Sequence, residues 1–468
     1  MIHYKKKLLL KLINVGMVFS LILSHPLNSY GEVLTESERE ELPVASSSWV
    51  NWPEGPVVSA KSALLMEAKT GAILYDKNIH ERMYPASTTK LMTTLLAMEK
   101  ENVSLDDMVY FSESAISSVP RDASNIGIDI GEALTFEECL YGVLVASANE
   151  VSNGLAEFVA GDIDSFVRLM NEKAKELGCE DTHFNNPHGY TDSNHYTSAY
   201  DLALISREFS ENELLSKISR TPNYHFVPTD TQPDDFTVGS TNFFMKGYYY
   251  CDGLISSKTG FTDESGQVLV TCAEKNGMRL IAVVMMEDTP KQYVDTLELL
   301  NYGFDNFDLV NVSDVEKKYT VTDDNFFHSN YDILGSSKGF IFLDSTAKVV
   351  VPKTTNFENL NSTLTYNNDD DNHFAIINYD YKGVYLGSAN LLMNEDTDSS
   401  LVFTEDLPEN TVEEDNTLII YIDRIMYGAV ALVLIVIITA LIRRFIKTNH
   451  ILERRKARSR WKKRRRFR

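Results

Sequence analysis

Ser87-Thr88-Thr89-Lys90, Ser147-Ala148-Asn149 and Lys258-Thr259-Gly260 are the three places in this sequence where residues suited to nucleophilic, basic and anion-binding work fall together. Ser87 and Lys90 are three apart, so at the start of a helix both side chains share one face and the amine can reach the hydroxyl. A serine hydroxyl attacks only after a base takes its proton. A lysine is that base only when burial or a neighbouring cation makes it neutral, and Lys258 is a candidate for the cation. The Ser147 hydroxyl can relay a proton to a leaving amine, and the Asn149 amide can hold a peptide carbonyl. Lys258 and Thr259 together suit a carboxylate, while Gly260 lets a substrate backbone approach a sheet edge. Each residue alone has an ordinary structural explanation, as helix cap, loop serine or strand-edge threonine. Their order, at intervals of 60 and 111 residues, points to one site.

Such a site needs a helix start, an inter-helix loop and a strand. Ser62 to Tyr75 alternates around Lys69-Thr70-Gly71 and predicts a hairpin, and Ser87 to Lys100 turns helical behind Pro85. Helical patterns follow at Phe136 to Val145, Val151 to Val159, Ile163 to Leu177 and Ala199 to Phe209, which puts Ser147 between two helices. Gln267 to Ala273 and Met278 to Met286 are strand-like runs joined through Asn276-Gly277, a strong hairpin signal, and a helix from Lys291 to Tyr302 closes the unit. Strands, a helical insert, then strands and a helix make an α/β core with a helical subdomain. From Asn306 the short β-rich runs Lys318 to Val321, Gly339 to Phe342, Lys348 to Val351, Ser362 to Tyr366, Phe374 to Tyr379 and Gly383 to Leu386 predict a small all-β sandwich.

The chain has 468 residues and a net charge of −23, unevenly spread. Residues 443–468 hold 14 basic side chains against Glu453, whereas Glu32 to Arg424 carry 26 basic and 66 acidic residues. A body that acidic is no nucleic-acid binder by counterion release. Lys5, Lys6, Lys7 and Lys11 with the apolar run to Leu23 predict a signal peptide over 1–31, with Ser29 and Gly31 as small residues at a cleavage site. Ile425 to Ile442 is free of charge, so a transmembrane helix is expected over 418–442, with the basic tail 443–468 in the cytoplasm. The whole reads as signal 1–31, spacer 32–56, catalytic unit 57–305, β-sandwich 306–404, acidic linker 405–417, span and tail. The lipid bilayer is the partner these ends imply. Four cysteines in so long an exported chain make no disulfide scaffold; Cys251 and Cys272 can pair, but buried free thiols are the expectation.

The three motifs resemble the signature of penicillin-binding proteins and class A β-lactamases, and their surroundings resemble the low-molecular-mass D-alanyl-D-alanine carboxypeptidases, the S11 serine peptidases. The likeness runs from Ser62 to Phe304 through Arg82-Met83-Tyr84-Pro85-Ala86-Ser87, Asn186-Pro187-His188-Gly189 and His195-Tyr196-Thr197-Ser198. It implies the penicillin-binding-protein/β-lactamase-like transpeptidase fold, peptidoglycan stem peptides as substrates, β-lactams as inhibitors and no cofactor. Carried over residue by residue, it implies that Ser87 is acylated, Lys90 is the base, Ser147 relays the proton, Asn149 holds substrate, and Lys258 and Thr259 bind the terminal carboxylate beside Gly260. The backbone N–H groups of Ser87 and Phe261 would form the oxyanion hole. Where some members supply an arginine ahead of the last core helix, this chain has Lys291 and Gln292, and Ile255-Ser256-Ser257 stand where the family usually has a glycine and an aliphatic residue before the third motif.

Two enzyme rivals fit less well. A β-lactamase normally has Asp where Ala148 stands, and a zinc peptidase built on His183, His188 and His195 lacks a known ligand spacing. A non-catalytic wall-binding protein would have no use for intact Ser87, Lys90 and Lys258.

Overall fold

The computed structural model describes residues 34–319, 341–366 and 373–393. At its centre is an antiparallel sheet of order β2-β1-β9-β8-β7, formed by β1 (Ser62–Glu67), β2 (Ile73–Lys77), β7 (Leu254–Thr262), β8 (Gly266–Lys275) and β9 (Met278–Glu287). Two small hairpins, β3 (Met108–Tyr110) with β4 (Ala133–Thr135) and β5 (Asn223–Phe226) with β6 (Phe236–Gly239), lie in the insert between β2 and β7.

Strand alternation divides the core into two layers. Leu64, Met66, Val268, Val270, Ile281 and Val283 face the helical insert, packing against Leu91, Val143, Val151 and Leu202. Ala63, Leu65, Leu269, Leu280 and Val284 face the other way, against Tyr293 and Leu299 of the Lys291–Asn306 helix. Because both faces are covered, every residue of β1 is buried. Asn276 and Gly277 take φ of 53° and 78°, the left-handed pair a two-residue hairpin requires.

The insert's helices start where their caps stand. Thr135 and Glu138 form a capping box ahead of Phe136–Leu144, and Asp162 and Ser198 accept backbone N–H bonds at the heads of Ile163–Glu176 and Ala199–Glu211. The expected helix at Ser87 begins differently, as a 3-10 turn over Ala86–Thr89 that becomes α-helix at Lys90–Met98.

The stretch read as a spacer packs onto the sheet. Arg39 of the Glu36–Glu40 helix is buried, donating to Ser59 O and pairing with Glu287 at 3.3 Å, and Trp52 Nε1 donates to Leu74 O. After the Lys291–Asn306 helix the chain enters a second sheet without a break, of order β10-β12-β15-β14-β13 with β11 also paired to β15. Its strands are β10 (Phe307–Asn311), β11 (Ile341–Leu343), β12 (Lys348–Pro352), β13 (Asn361–Tyr366), β14 (His373–Tyr381) and β15 (Val384–Met393). Two sheets were expected; the described residues place all six strands in one, because β15 pairs with β12 at Gly387 and with β11 at Leu391–Met393. Lys318 and Tyr319 are not in a strand, and the rest of that expected run lies outside the described residues. All four cysteines are free and buried, Cys251 and Cys272 included. Among the described residues no helix is long and apolar enough to cross a membrane. The expected signal peptide, linker, span and tail lie outside them.

Candidate active site

Ser87 enters its turn from Ala86, whose φ of 48° is unusual for a residue with a side chain. Two contacts hold that conformation. Thr88 Oγ1 donates to Pro85 O at 2.7 Å, and Gly189 presses so close that a Cβ on it would lie 1.8 Å from Ala86 O. The strained start turns Ser87 toward a cavity of about 280 Å³ that Ser147, Thr259, Gly260 and Phe261 also line. A larger cleft of about 540 Å³, beside Trp49, Tyr200 and Tyr385, holds no nucleophile with a base, so the chemistry and not the volume selects the site.

Lys90, one helical turn on, is fully buried. Its Nζ lies 3.0 Å from Ser87 Oγ, 2.6 Å from Asn149 Oδ1 and 2.7 Å from His188 O, so a neutral amine spends its two N–H groups on the two carbonyl oxygens and turns its lone pair to the Ser87 hydroxyl. Burial, and after it the charge of Lys258, hold the amine well below the ordinary lysine range, with Glu150 opposing. Glu150 is itself raised by burial, although Ile126 N donates to it at 2.6 Å.

Ser147 sits in the loop between Phe136–Leu144 and Asn149–Ala160 at φ 62°. Its Oγ accepts from Lys258 Nζ at 3.1 Å, and Lys258 also donates to Thr259 O at 2.9 Å. Burial brings the Lys258 amine down to about 7. Asn149 is the first residue of its helix; because its Oδ1 is taken by Lys90, the amide NH₂ is the end left to meet a carbonyl. Thr259 Oγ1 bonds Thr241 Oγ1 at 2.9 Å. A Cβ on Gly260 would lie 2.8 Å from Pro85 O and 3.1 Å from Ser87 N, so this strand passes the nucleophile at a distance only glycine permits. Phe261, the next residue, is 56% exposed at the rim.

All eight residues singled out in the sequence therefore cluster around one cavity or directly behind it. Gln292, named in the sequence at the place where some family members supply an arginine, lines the cavity wall. Sequence reasoning did not foresee the His188 carbonyl on Lys90, the opposing Glu150, or Gln267 and Tyr293 beside Gln292. The Asn-Pro-His-Gly stretch signalled the first, because a glycine after His188 allows the φ of 88° that the contact with Ala86 needs. The histidines weighed as zinc ligands have other work: His183 Nδ1 meets Asn194 O, His188 Nδ1 accepts from Tyr190 N, and His195 bridges Thr89 and Asn185. Lys291, at the surface, pairs with Glu36 at 2.9 Å, away from the cavity wall.

A buried lysine, its amine held well below the ordinary range, on a serine hydroxyl beside a second hydroxyl–lysine pair is machinery for acyl transfer. The family model for D-alanyl-D-alanine carboxypeptidases, Peptidase S11, matches residues 50–289, more than half of the sequence. The chain belongs to the S11 family. It is 40% identical over 253 residues to the D-alanyl-D-alanine carboxypeptidase DacF of Bacillus subtilis, covering 53% of this chain and 63% of that one. It is 33% identical over 261 residues to DacA of Haemophilus influenzae, covering 54% and 64%. The matches thus span just under two thirds of those relatives. Among solved structures, penicillin binding protein 5 from Haemophilus influenzae aligns with a TM-score of 0.59 at 26% identity, over 73% of this chain and 98% of that one. The S11 chain has the α/β fold of penicillin-binding transpeptidases, with their antiparallel sheet.

Proposed function

We propose that this S11 protein is a serine-type D-alanyl-D-alanine carboxypeptidase that removes the terminal D-Ala from peptidoglycan stem pentapeptides through an acyl-enzyme on Ser87. The observation that carries the reading is the 3.0 Å contact between the buried Lys90 amine and Ser87 Oγ. Neutral Lys90 takes the hydroxyl proton as Ser87 Oγ attacks the carbonyl of the penultimate D-Ala. The N–H groups of Ser87 and Phe261 receive the oxyanion, and the Asn149 NH₂ holds the donor peptide. As the C–N bond breaks, Ser147, bonded to Lys258, passes a proton to the leaving amine and takes up the one Lys90 gained from Ser87, which leaves Lys90 neutral, and Lys258 and Thr259 hold the leaving carboxylate. Water then hydrolyses the Ser87 ester, with Lys90 again as base. A β-lactam opens on Ser87 by the same attack. Side chains and backbone donors supply every step, and no cofactor is called for.

The protein as we read it is exported by residues 1–31 and held by a single span over 418–442, its catalytic domain outside and its basic tail in the cytoplasm. The charge distribution along the sequence supports this orientation.

Labelling with fluorescent penicillin tests the mechanism. The adduct is expected on Ser87 and absent from Ser87→Ala, which keeps its melting temperature. D-alanine is released from peptides ending in D-Ala-D-Ala before and after dialysis against EDTA. An adduct that maps to another residue, or activity that zinc restores, rules the mechanism out.

A further inference from the structure

Gln292 lies in the first turn of the Lys291–Asn306 helix, 3% exposed, in the wall of the Ser87 cavity. Its Nε2 donates to Gln267 Oε1 at 3.1 Å, and its own Oε1 is buried with no partner. Gln267 is directly opposite Phe261 in the β7–β8 pairing, which puts it on the same sheet face as Phe261 and Thr259, one diagonal step from the Thr259 hydroxyl. The β8–β9 register shifts between Gln267 and Leu269, an irregularity that re-aims side chains. Thr259, Gln267 and Gln292 therefore form one polar strip beside the nucleophile. No charged side chain lines the cavity among the described residues, and the Lys258 ammonium is turned to Ser147 Oγ and Thr259 O.

A buried amide oxygen without a partner costs free energy until an N–H meets it. A carboxylate has acceptors only and offers it none. A carboxamide, or a peptide bond that continues the chain, offers both halves of the match: its C=O can accept from Thr259 and its N–H can donate to Gln292.

We propose that the leaving-residue side of the cavity is a neutral amide-recognition subsite, in which Gln292 Oε1, held by Gln267, accepts an N–H from a substrate whose leaving residue is amidated or continues as a peptide. The inference rests on the acyl-transfer reading of Ser87 and names its substrate class: besides free D-Ala termini, the site takes stems whose leaving residue carries an amide. The chemistry is unchanged. The Ser87 Oγ–C bond forms, the scissile C–N bond breaks, and the leaving amine receives one proton while Ser87 gives one up.

The test compares a blocked peptide ending in D-Ala-D-Ala with its C-terminal carboxamide, bound to the full-length Ser87→Ala protein in detergent, so that affinity is read without turnover. The carboxamide is expected to bind at least as tightly as the acid. Adding Gln292→Met, which keeps the volume and removes the acceptor, should lower the amide-to-acid affinity ratio about tenfold, the worth of one buried hydrogen bond. Adding Gln292→Glu, which keeps an acceptor, should retain amide binding and weaken the acid. An acid preference above about tenfold, or a ratio unmoved by Gln292→Met, overturns the subsite. Penicillin labelling of the unmutated protein is read separately: a failure there removes the acyl-transfer reading, whereas labelling with an acid-only preference removes the subsite alone.

Discussion

Lys90 Nζ faces Ser87 Oγ across 3.0 Å, its amine held well below the ordinary lysine range by burial and, after it, by the charge of Lys258. The base is thus prepared by its surroundings before substrate arrives, and its neighbours of opposite sign can be altered one at a time.

Acylation requires neutral Lys90, so its rate should rise with pH along a limb set by the coupled lysines. Lys258→Met removes a positive charge, raises the proton affinity of Lys90 and should move the limb to higher pH. Glu150→Gln removes the negative charge that opposes it and should move the limb to lower pH. The measurement is the acylation rate at saturating β-lactam, where affinity does not enter. Limbs that stay in place in both variants would mean that burial alone sets the state of Lys90.

Gly189→Ala should damage the site from outside it. The new Cβ would meet Ala86 O at 1.8 Å, at a φ of 88° that disfavours a side chain, and the neighbouring His188 carbonyl is a partner of Lys90. A loss of about 2–4 kcal/mol in stability is expected, with acylation slowed roughly 100-fold by misplacement of the nucleophile. Chemical denaturation and stopped-flow acylation check the two parts. Unchanged acylation would show that the Ala86 strain is not what aims Ser87.

The Arg39 cluster should make stability depend on pH. Burial and the Asp295 carboxyl outweigh the hydrogen bonds from Asp288 N–H and the Ser59 hydroxyl and raise Glu287, which Arg39 meets at 3.3 Å, from 4.5 to about 8. The folded state then keeps a proton that the unfolded chain has released, so this contribution is full below about pH 4.5 and is lost as pH rises toward 8. The melting temperature should fall across that window, and Glu287→Gln should flatten the fall. A profile with the same slope in the variant would assign it to other groups.

Protease added outside intact cells should remove the catalytic unit and spare a tag placed after Arg468. Digestion of that tag would reverse the proposed orientation.

Much of this was legible in the sequence, for identifiable reasons. Hairpins around Gly71 and Asn276-Gly277 and the strand-like runs of β8 and β9 are local signals, and β1, β2, β8 and β9 follow them. The three motifs were readable because each carries its chemistry in adjacent residues. What stayed hidden depends on contacts between distant segments. Asn149 was expected to serve substrate alone, yet half of its amide belongs to Lys90, 59 residues away. The His188 carbonyl is a main-chain group, and the Asn-Pro-His-Gly stretch marks a turn there without naming the lysine it meets. Gln292 was singled out by its place ahead of the last core helix, but Gln267 is an unremarkable letter until β8 brings it within 3.1 Å of Gln292. Nothing in β15 announces that, among the described residues, it pairs with both β12 and β11.

Phe307 ends the catalytic unit's last helix and opens the second sheet, packing on Trp52 and Tyr302 in one apolar cluster with Val350, Tyr381 and Leu386. Bending at that junction would open the cluster to water, so the second sheet acts as a stiff strut and not as a tether. A strut fixes aim: any surface that grips the second sheet also sets the direction in which the serine cleft faces. Lengthening the chain beside Phe307 would change the orientation of the reaction before it changed its rate.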